Sequence, residues 1–210
     1  QLEPWMDCRL LEGERQALQQ IIEKRIATRK PAPYLLNRAW VQGHAFYVDE
    51  RVIVPRSYIG ELIAGDLEGM VPDTANVGSV LDLCTGSGCL AVLAAHRFED
   101  AKIDAADVSR DALAVAAINV HDYGLEDRIA LVASDLFDGL AGRRYDLILS
   151  NPPYVDAEAV AAFPPEYAAE PVLAHAGGVD GLDIVRRILT EASKHLTSDG
   201  VLVVEIGRGR

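Results

Sequence analysis

The residues best suited to do chemistry are Asn151, Pro152, Pro153 and Tyr154, which directly follow the apolar run Tyr145-Asp-Leu-Ile-Leu-Ser150. Two prolines stiffen a loop and remove backbone donors, which leaves its carbonyls free to point into a cavity. Such a loop suits a planar nitrogen, amide or aniline-like, whose lone pair is delocalised; in an ordinary amide the resonance gives a rotation barrier of roughly 18–20 kcal/mol. If the Asn151 side-chain oxygen and the Pro152 carbonyl each accept one N–H, they aim the nitrogen and stabilise the positive charge that develops on it as it reacts. Tyr154 can stack on the planar group, and Pro153 belongs to the same substrate-holding loop. The plainer alternative is a proline-rich exit from a strand.

A second constellation lies in Val80-Leu-Asp-Leu-Cys-Thr-Gly-Ser-Gly-Cys-Leu-Ala91, where an apolar strand turns into a helix. Gly86 and Gly88 let the backbone turn sharply and let a ligand approach closely. Asp82, Cys84, Thr85, Gly86, Ser87 and Gly88 are therefore assigned to a cofactor. Taken alone, such a turn also fits a dinucleotide binder or a mere tight connection. Ala91 stands where the phosphate-binding fingerprint has its third glycine, which favours a ligand without a pyrophosphate at this turn. Asp107 ends the next strand, where a carboxylate can accept from both hydroxyls of a ribose. Its alternative role as a helix cap can be filled by Ser109. After the third strand, Asp135 can accept from an adenine amino group while Leu136 packs on the ring, although an Asp in a loop is often turn chemistry only. Features at successive strand ends face one crevice, which argues against coincidence.

The elements that must position these residues follow from the pattern. Strands are expected at Val80–Leu83, Lys102–Ala106, Ile129–Ala133, Tyr145–Ser150 and Val201–Ile206, with helices over Cys89–His96, Arg110–His121 and Gly181–His195. Such alternation predicts an α/β fold, a mostly parallel sheet with helices on both faces. Upstream, Leu18, Ile21, Ile22 and Ile26 give Glu12–Arg29 a helical spacing that Pro31 and Pro33 end. The runs Ala45–Asp49 and Arg51–Pro55 are expected to pair as a hairpin before a helix beginning near Tyr58.

Half of the 210 residues are apolar, enough for one full core and a small appendage. No window approaches the run of about 18 apolar residues that a membrane span needs, and Gln1 opens no signal-peptide pattern, so a cytoplasmic location is expected. Cys8, Cys84 and Cys89 are unevenly spaced and the five histidines form no ligand pattern, so neither disulfide nor metal is expected. The net charge of −12, from 20 Lys+Arg against 32 Asp+Glu, disfavours nucleic acid and would draw a basic polypeptide. Solubility alone is the plainer reason for that charge.

Asn151-Pro-Pro-Tyr154 after the fourth strand and Asp82-Leu-Cys-Thr-Gly-Ser-Gly88 after the first resemble class I S-adenosylmethionine-dependent methyltransferases of planar nitrogen. Adenine amino methyltransferases share the tetrapeptide. Gly43-His-Ala-Phe-Tyr-Val-Asp-Glu-Arg-Val-Ile-Val-Pro-Arg56 is similar instead to the HemK-like protein-glutamine methyltransferases. Tyr34-Leu, Asn37-Arg-Ala-Trp40 and Pro55–Leu62 look most like the branch that modifies ribosomal protein L-three, since Ile59-Gly60 replace the Thr-Glu of the release-factor branch. The likeness runs on through Val155–Glu158, Glu166-Tyr, Glu170-Pro and Asp180-Gly-Leu.

The resemblance implies a helical substrate-recognition segment over 1–42, a hairpin linker over 43–60 and a methyltransferase domain over 61–210 whose last strands lie beyond the sequence. It implies S-adenosylmethionine as the cofactor, S-adenosylhomocysteine as the product and a protein substrate. Phe46 and Arg56 are placed near the cofactor or substrate entrance, against a plain core role for Phe46 and an Arg56–Glu61 pair. The expected reaction is an in-line displacement by a glutamine amide nitrogen, with no strong base. A release-factor enzyme, an adenine methyltransferase and a non-catalytic binding or scaffold module stand as alternatives.

Overall fold

The computed structural model describes residues 8–65, 67, 69–71 and 73–207. Residues 1–7 of the expected helical segment, and 66, 68, 72 and 208–210 of the expected methyltransferase domain, lie outside the described residues.

Five parallel strands carry the fold: β3 (Ser79–Leu83), β4 (Lys102–Asp107), β5 (Ile129–Ala133), β6 (Tyr145–Ser150) and β7 (Leu196–Val204), in the spatial order β5-β4-β3-β6-β7. The chain winds outward through α4 (Cys89–Arg97) and α5 (Arg110–Asp122), then crosses back to lay β6 beside β3. That reversal is a topological switch point, and ligands of such sheets bind outside the strand ends there. Register brings the tips level: Leu83 pairs with Ala106 and Ser150, Asp107 with Ala133, and Ser150 with Val204.

Alternation along each strand sends residues to two cores. Val80, Ile103, Leu147 and Leu149 meet α4, which is buried from Cys89 to Ala95, while Leu81, Leu83 and Ile148 meet Ile188 of α7 (Asp183–Glu191). Where a helix over Gly181–His195 was expected, α7 ends at Glu191 and a 3-10 turn covers Ala192–Lys194. The last strand starts earlier than its apolar run, at Leu196, with a register break against β6 between Tyr145 and Leu147. A short helix α6 (Ala157–Ala161) follows the Asn-Pro-Pro-Tyr loop.

Before the sheet, α1 (Glu12–Thr28) forms from the expected helical run, and a short α2 (Ala32–Leu36), which the sequence did not suggest, follows with Pro33 in its first turn, where a missing N–H costs no helical bond. No residue of α1 is buried; Leu18, Ile22 and Ile26 are exposed, and Arg25 and Arg29 of this segment pair with Glu166. The hairpin is real but lies elsewhere than the sequence suggested. It joins β1 (Ala39–Val41) to β2 (His44–Phe46) across Gln42 and Gly43, both at positive φ, the two-residue turn that suits strand twist. Arg51–Pro55 forms no strand: Asp49 accepts from the Arg51 N–H, the Val54 N–H goes to Glu170, and Pro55 has no N–H to give. Helix α3 (Ile59–Ala64) follows.

Candidate active site

The strand tips enclose a cavity of about 290 Å³ on the cofactor side and an adjoining one of about 190 Å³. Asn151, Ile53 and Ala174 line both. Ser150 fixes the tip from which Asn151 projects, its hydroxyl donating to the Leu83 carbonyl at 2.8 Å. Among the described residues, nothing ties down the Asn151 side chain by a hydrogen bond.

The larger cavity gathers Cys84, Gly86, Asp107, Asp135, Leu136, Asn151 and Pro153. Asp107 accepts from the Gly86 N–H and the Ser109 N–H, each at 2.9 Å, so each oxygen keeps a lone pair for a ligand. Burial raises its carboxyl, against the pull of the Ser109 and Gly86 N–H groups. Ser109 itself caps α5 by accepting from the Ala112 N–H, which relieves Asp107 of that duty. A Cβ built on Gly86 would meet no protein atom within 4 Å, so the space in front of this glycine belongs to whatever fills the cavity. Cys84 and Leu136 hold φ of +64° and +50°, a left-handed backbone that costs an L-residue about 1–2 kcal/mol. Strain of this kind persists where the surroundings over-determine it, and it clusters at functional sites. Burial and the Asp107 charge push the Cys84 thiol up to about 12, so it stays neutral. Asp135 is bound to Arg187 of α7 at 3.0 Å, and both line the cavity.

Four residues of the glycine turn line neither cavity. Asp82 is fully buried behind it, accepting from the Thr85 hydroxyl at 2.5 Å and the Ala91 N–H at 3.0 Å. Burial lifts its carboxyl to about 7, against those two hydrogen bonds, and its Oδ1 meets no partner among the described residues. Thr85 and Ser87 are buried, and the Ser87 carbonyl accepts from Asn119 of α5. A Cβ on Gly88 would come within 3.1 Å of the Ala116 Cβ, so this glycine serves the close approach of α5. These four, assigned to a cofactor from the sequence, thus lie behind the turn and support it, while Cys84 and Gly86 form its cavity-facing side. Phe46 is likewise a core residue, 1% exposed and packed on Tyr123.

The smaller cavity is lined by Pro152, Tyr154 and Arg56 from the expected set, together with Phe163, Tyr167 and His175. The Tyr154 hydroxyl donates to Glu205 at 3.1 Å, and Glu205 also accepts from the Ser57 hydroxyl at 2.6 Å. Burial and the Glu205 charge push the Tyr154 phenol up to about 12. Arg56 pairs with Glu170, at 2.7 Å, rather than with Glu61.

The Methyltransferase small domain family matches residues 67–163. The ribosomal protein uL3 glutamine methyltransferase of Bradyrhizobium diazoefficiens is 55% identical over 216 residues, covering 100% of this chain and 68% of its own length. The one of Burkholderia pseudomallei is 56% identical over 216 residues, covering 100% and 70%. The chain belongs to the ribosomal protein uL3 glutamine methyltransferase family. Its fold is that of class I methyltransferases. The T. Thermophilus 16S rRNA N2 G1207 methyltransferase, in complex with AdoMet and guanosine, superposes with a TM-score of 0.56 at 19% identity over 80% of this chain and 40% of its own. The hMettl16 catalytic domain gives 0.56 at 19% over 72% and 58%. Likeness at that identity is of fold alone.

Sequence reasoning gave no role to Glu170, His175, Phe163, Tyr167, Arg187 or Arg51. Glu170, Tyr167 and Arg51 had surfaced only within the longer stretches of the family resemblance and the expected hairpin; Phe163 and His175 sit in irregular segments, and Arg187 on α7 meets an Asp135 remote in sequence. Among the described residues no group of His, Cys, Asp and Glu could hold a metal, and no helix is long and apolar enough to cross a membrane.

Proposed function

We propose that this chain transfers the methyl group of S-adenosylmethionine to the side-chain amide nitrogen of a glutamine in ribosomal protein uL3. The observation that carries the reading is Asn151 at the seam of two cavities, one furnished for a nucleoside and the other for a small planar group. Relatives named for uL3 glutamine methylation, aligned along the whole chain, support the substrate.

The residues present fit the cofactor. Asp107 keeps lone pairs for ribose hydroxyls, Leu136 and Ile184 offer an apolar wall for a base, and Gly86 leaves its space open. When bound, S-adenosylmethionine supplies an electrophilic methyl on a good leaving group. Asn151 and the Pro152 carbonyl accept the two amide N–H bonds, draw the nitrogen out of conjugation and face the charge it acquires. Tyr154, held by Glu205, stacks against the amide plane. The proton passes to solvent once the nitrogen is alkylated.

In this reading residues 1–42 meet the substrate protein, 43–60 link, and 61–210 transfer the methyl group. The net charge of −12 suits a basic ribosomal protein made in the cytoplasm. The test is transfer of labelled methyl to purified uL3 and, in parallel, to a release factor, with mass spectrometry of the product. One methyl on a uL3 glutamine is expected. Label on the release factor alone, or on RNA with salt-sensitive binding, would overturn the substrate assignment.

A further inference from the structure

Two irregular segments form the outer wall of the paired cavities. Arg51, Val52 and Ile53 face the cofactor side and Ile53 and Arg56 the acceptor side, opposite the stretch from Phe163 to Ala176. No strand pairing joins the two segments among the described residues; a carboxylate does. Glu170, its side chain 2% exposed, accepts from the Val54 N–H at 3.1 Å and from both ends of the Arg56 fork, at 2.9 and 2.7 Å. The His175 Nε2 lies 2.8 Å from the same carboxylate, close but without a directed hydrogen bond. Arg56 also sits over the Tyr167 ring, 5.4 Å from its centre. Arg56, Tyr167 and His175 all line the acceptor cavity, whereas Glu170 lines neither cavity.

Glu170 is buried while Arg56 is nearly half exposed, so desolvation of the carboxylate offsets much of the pair's attraction and stability is not its main yield. A bidentate Arg–carboxylate pair does, however, fix direction. Burial alone would raise the Glu170 carboxyl, yet His175 and Arg56 hold it down to about 2, so the clasp stays charged at every working pH.

We propose that Glu170 is a positioning residue of the methyl transfer: by gripping Arg56 and the Val54 backbone against His175, it sets the shape of the acceptor cavity and hence the affinity for the substrate glutamine. This rests on the function proposed above. Glu170 touches no reactant and acts through Arg56 and the wall it holds.

The test uses the whole chain with Glu170→Gln and with the double change Arg56→Met, Glu170→Met. For each, the melting temperature, the S-adenosylmethionine Kd by calorimetry, and KM and kcat for uL3 are measured. The single variant is expected to raise KM for uL3 at least tenfold, with cofactor Kd within twofold. The double variant is expected to keep the wild-type melting temperature within a few degrees, yet not to regain the wild-type KM. Recovery of KM together with stability in the double variant would overturn the proposal, since apolar packing would then suffice. A parallel loss of cofactor affinity in Glu170→Gln would overturn it too. If the wild-type chain binds cofactor but methylates no uL3 glutamine, the proposed function falls and takes this proposal with it. Transfer by wild type with KM unmoved in the variants sinks this proposal alone.

Discussion

The two cavities share an outer wall, from the 51–56 and 163–176 stretches, and differ in how much of the rest of their lining comes from the sheet. Apart from that wall, the cofactor side is assembled largely from strand tips and the turns that leave them, so its residues inherit their places from the sheet: Asp107 ends β4, and Gly86, Asp135 and Asn151 each follow a β-strand. The acceptor side takes only the 151–155 loop from a strand tip and is otherwise assembled from segments with no strand or long helix, the 51–56 stretch and the 163–176 stretch, held together by side chains. Their buried carboxylates differ accordingly. Asp82, under the glycine turn, has a hydroxyl and a backbone N–H but no cation and is lifted to about 7. Glu170, between the irregular segments, has Arg56 and is held at about 2. A sheet already fixes the first region, so a neutral acid can tie its turn. The second has no such frame, and a charge-assisted fork takes its place.

The largest effect should come from the seam. Asn151→Ala is expected to lower kcat about 10²–10³-fold, in line with loss of one donor or acceptor facing transition-state charge, while cofactor Kd, read by calorimetry, changes little. Equal losses in kcat and cofactor affinity would mean that Asn151 only builds the wall.

Asp107→Ala should act on the other side of the comparison alone. Loss of hydrogen bonds to a charged acceptor, each about 1.5–3 kcal/mol, should weaken cofactor binding about tenfold or more. KM for uL3 measured at saturating cofactor should stay put, and a shift there would break the separation of the two regions.

The glycines sharpen it further. Gly88→Ala places a Cβ 3.1 Å from the Ala116 Cβ at a φ of +77°, so stability in urea should fall by about 1–3 kcal/mol. Gly86→Ala meets no protein atom and carries the strain of its φ of +56° alone, about 1–2 kcal/mol. Its larger signature should be weaker cofactor binding. If both variants lose only stability, the open space before Gly86 is no ligand space.

The pH dependence supplies a further contrast, and its sign differs between the regions. The Asp82 carboxyl lies at about 7 in the fold against an ordinary 3.8, so the native state holds the extra proton and stability falls as pH rises from about 4 to about 7. Glu170 lies at about 2 against 4.5, so its contribution is complete above about 4.5 and is lost as pH falls toward 2. Denaturation midpoints across pH should lose the first slope in Asp82→Asn and the second in Glu170→Gln.

The same contrast explains what could be read from the residues alone. Strands such as Ile129–Ala133 and Tyr145–Ser150 fell where apolar runs alternate with helical spacing, because that signal is local. The tips of those strands then gave Asp107, Asp135 and Asn151 by topology. Nothing in the sequence of the glycine turn says which groups face inward: Asp82 takes the Thr85 hydroxyl behind the turn and the Ser87 carbonyl takes Asn119 of α5, while Cys84 and Gly86 face the cavity. The hairpin slipped because Val52–Val54 has strand composition, while Gln42-Gly43 is a weaker turn signal than the Asn-Gly or Asp-Gly that usually marks such a turn. The acceptor wall was invisible for a different reason. Glu170 meets Arg56 and Val54 across 114 and 116 residues, and no periodicity runs through the two short 3-10 turns between which it sits.

Cys84 and Leu136 hold left-handed backbones at the rim of the larger cavity. Unfolding relieves that local strain, and a molecule seated against both residues would help hold them as they are. Methyl donor and conformational endurance are thus coupled: at a hundredfold excess over Kd the ligand adds about 2.7 kcal/mol of resistance to unfolding. A cell short of donor would hold this protein in its most perishable form.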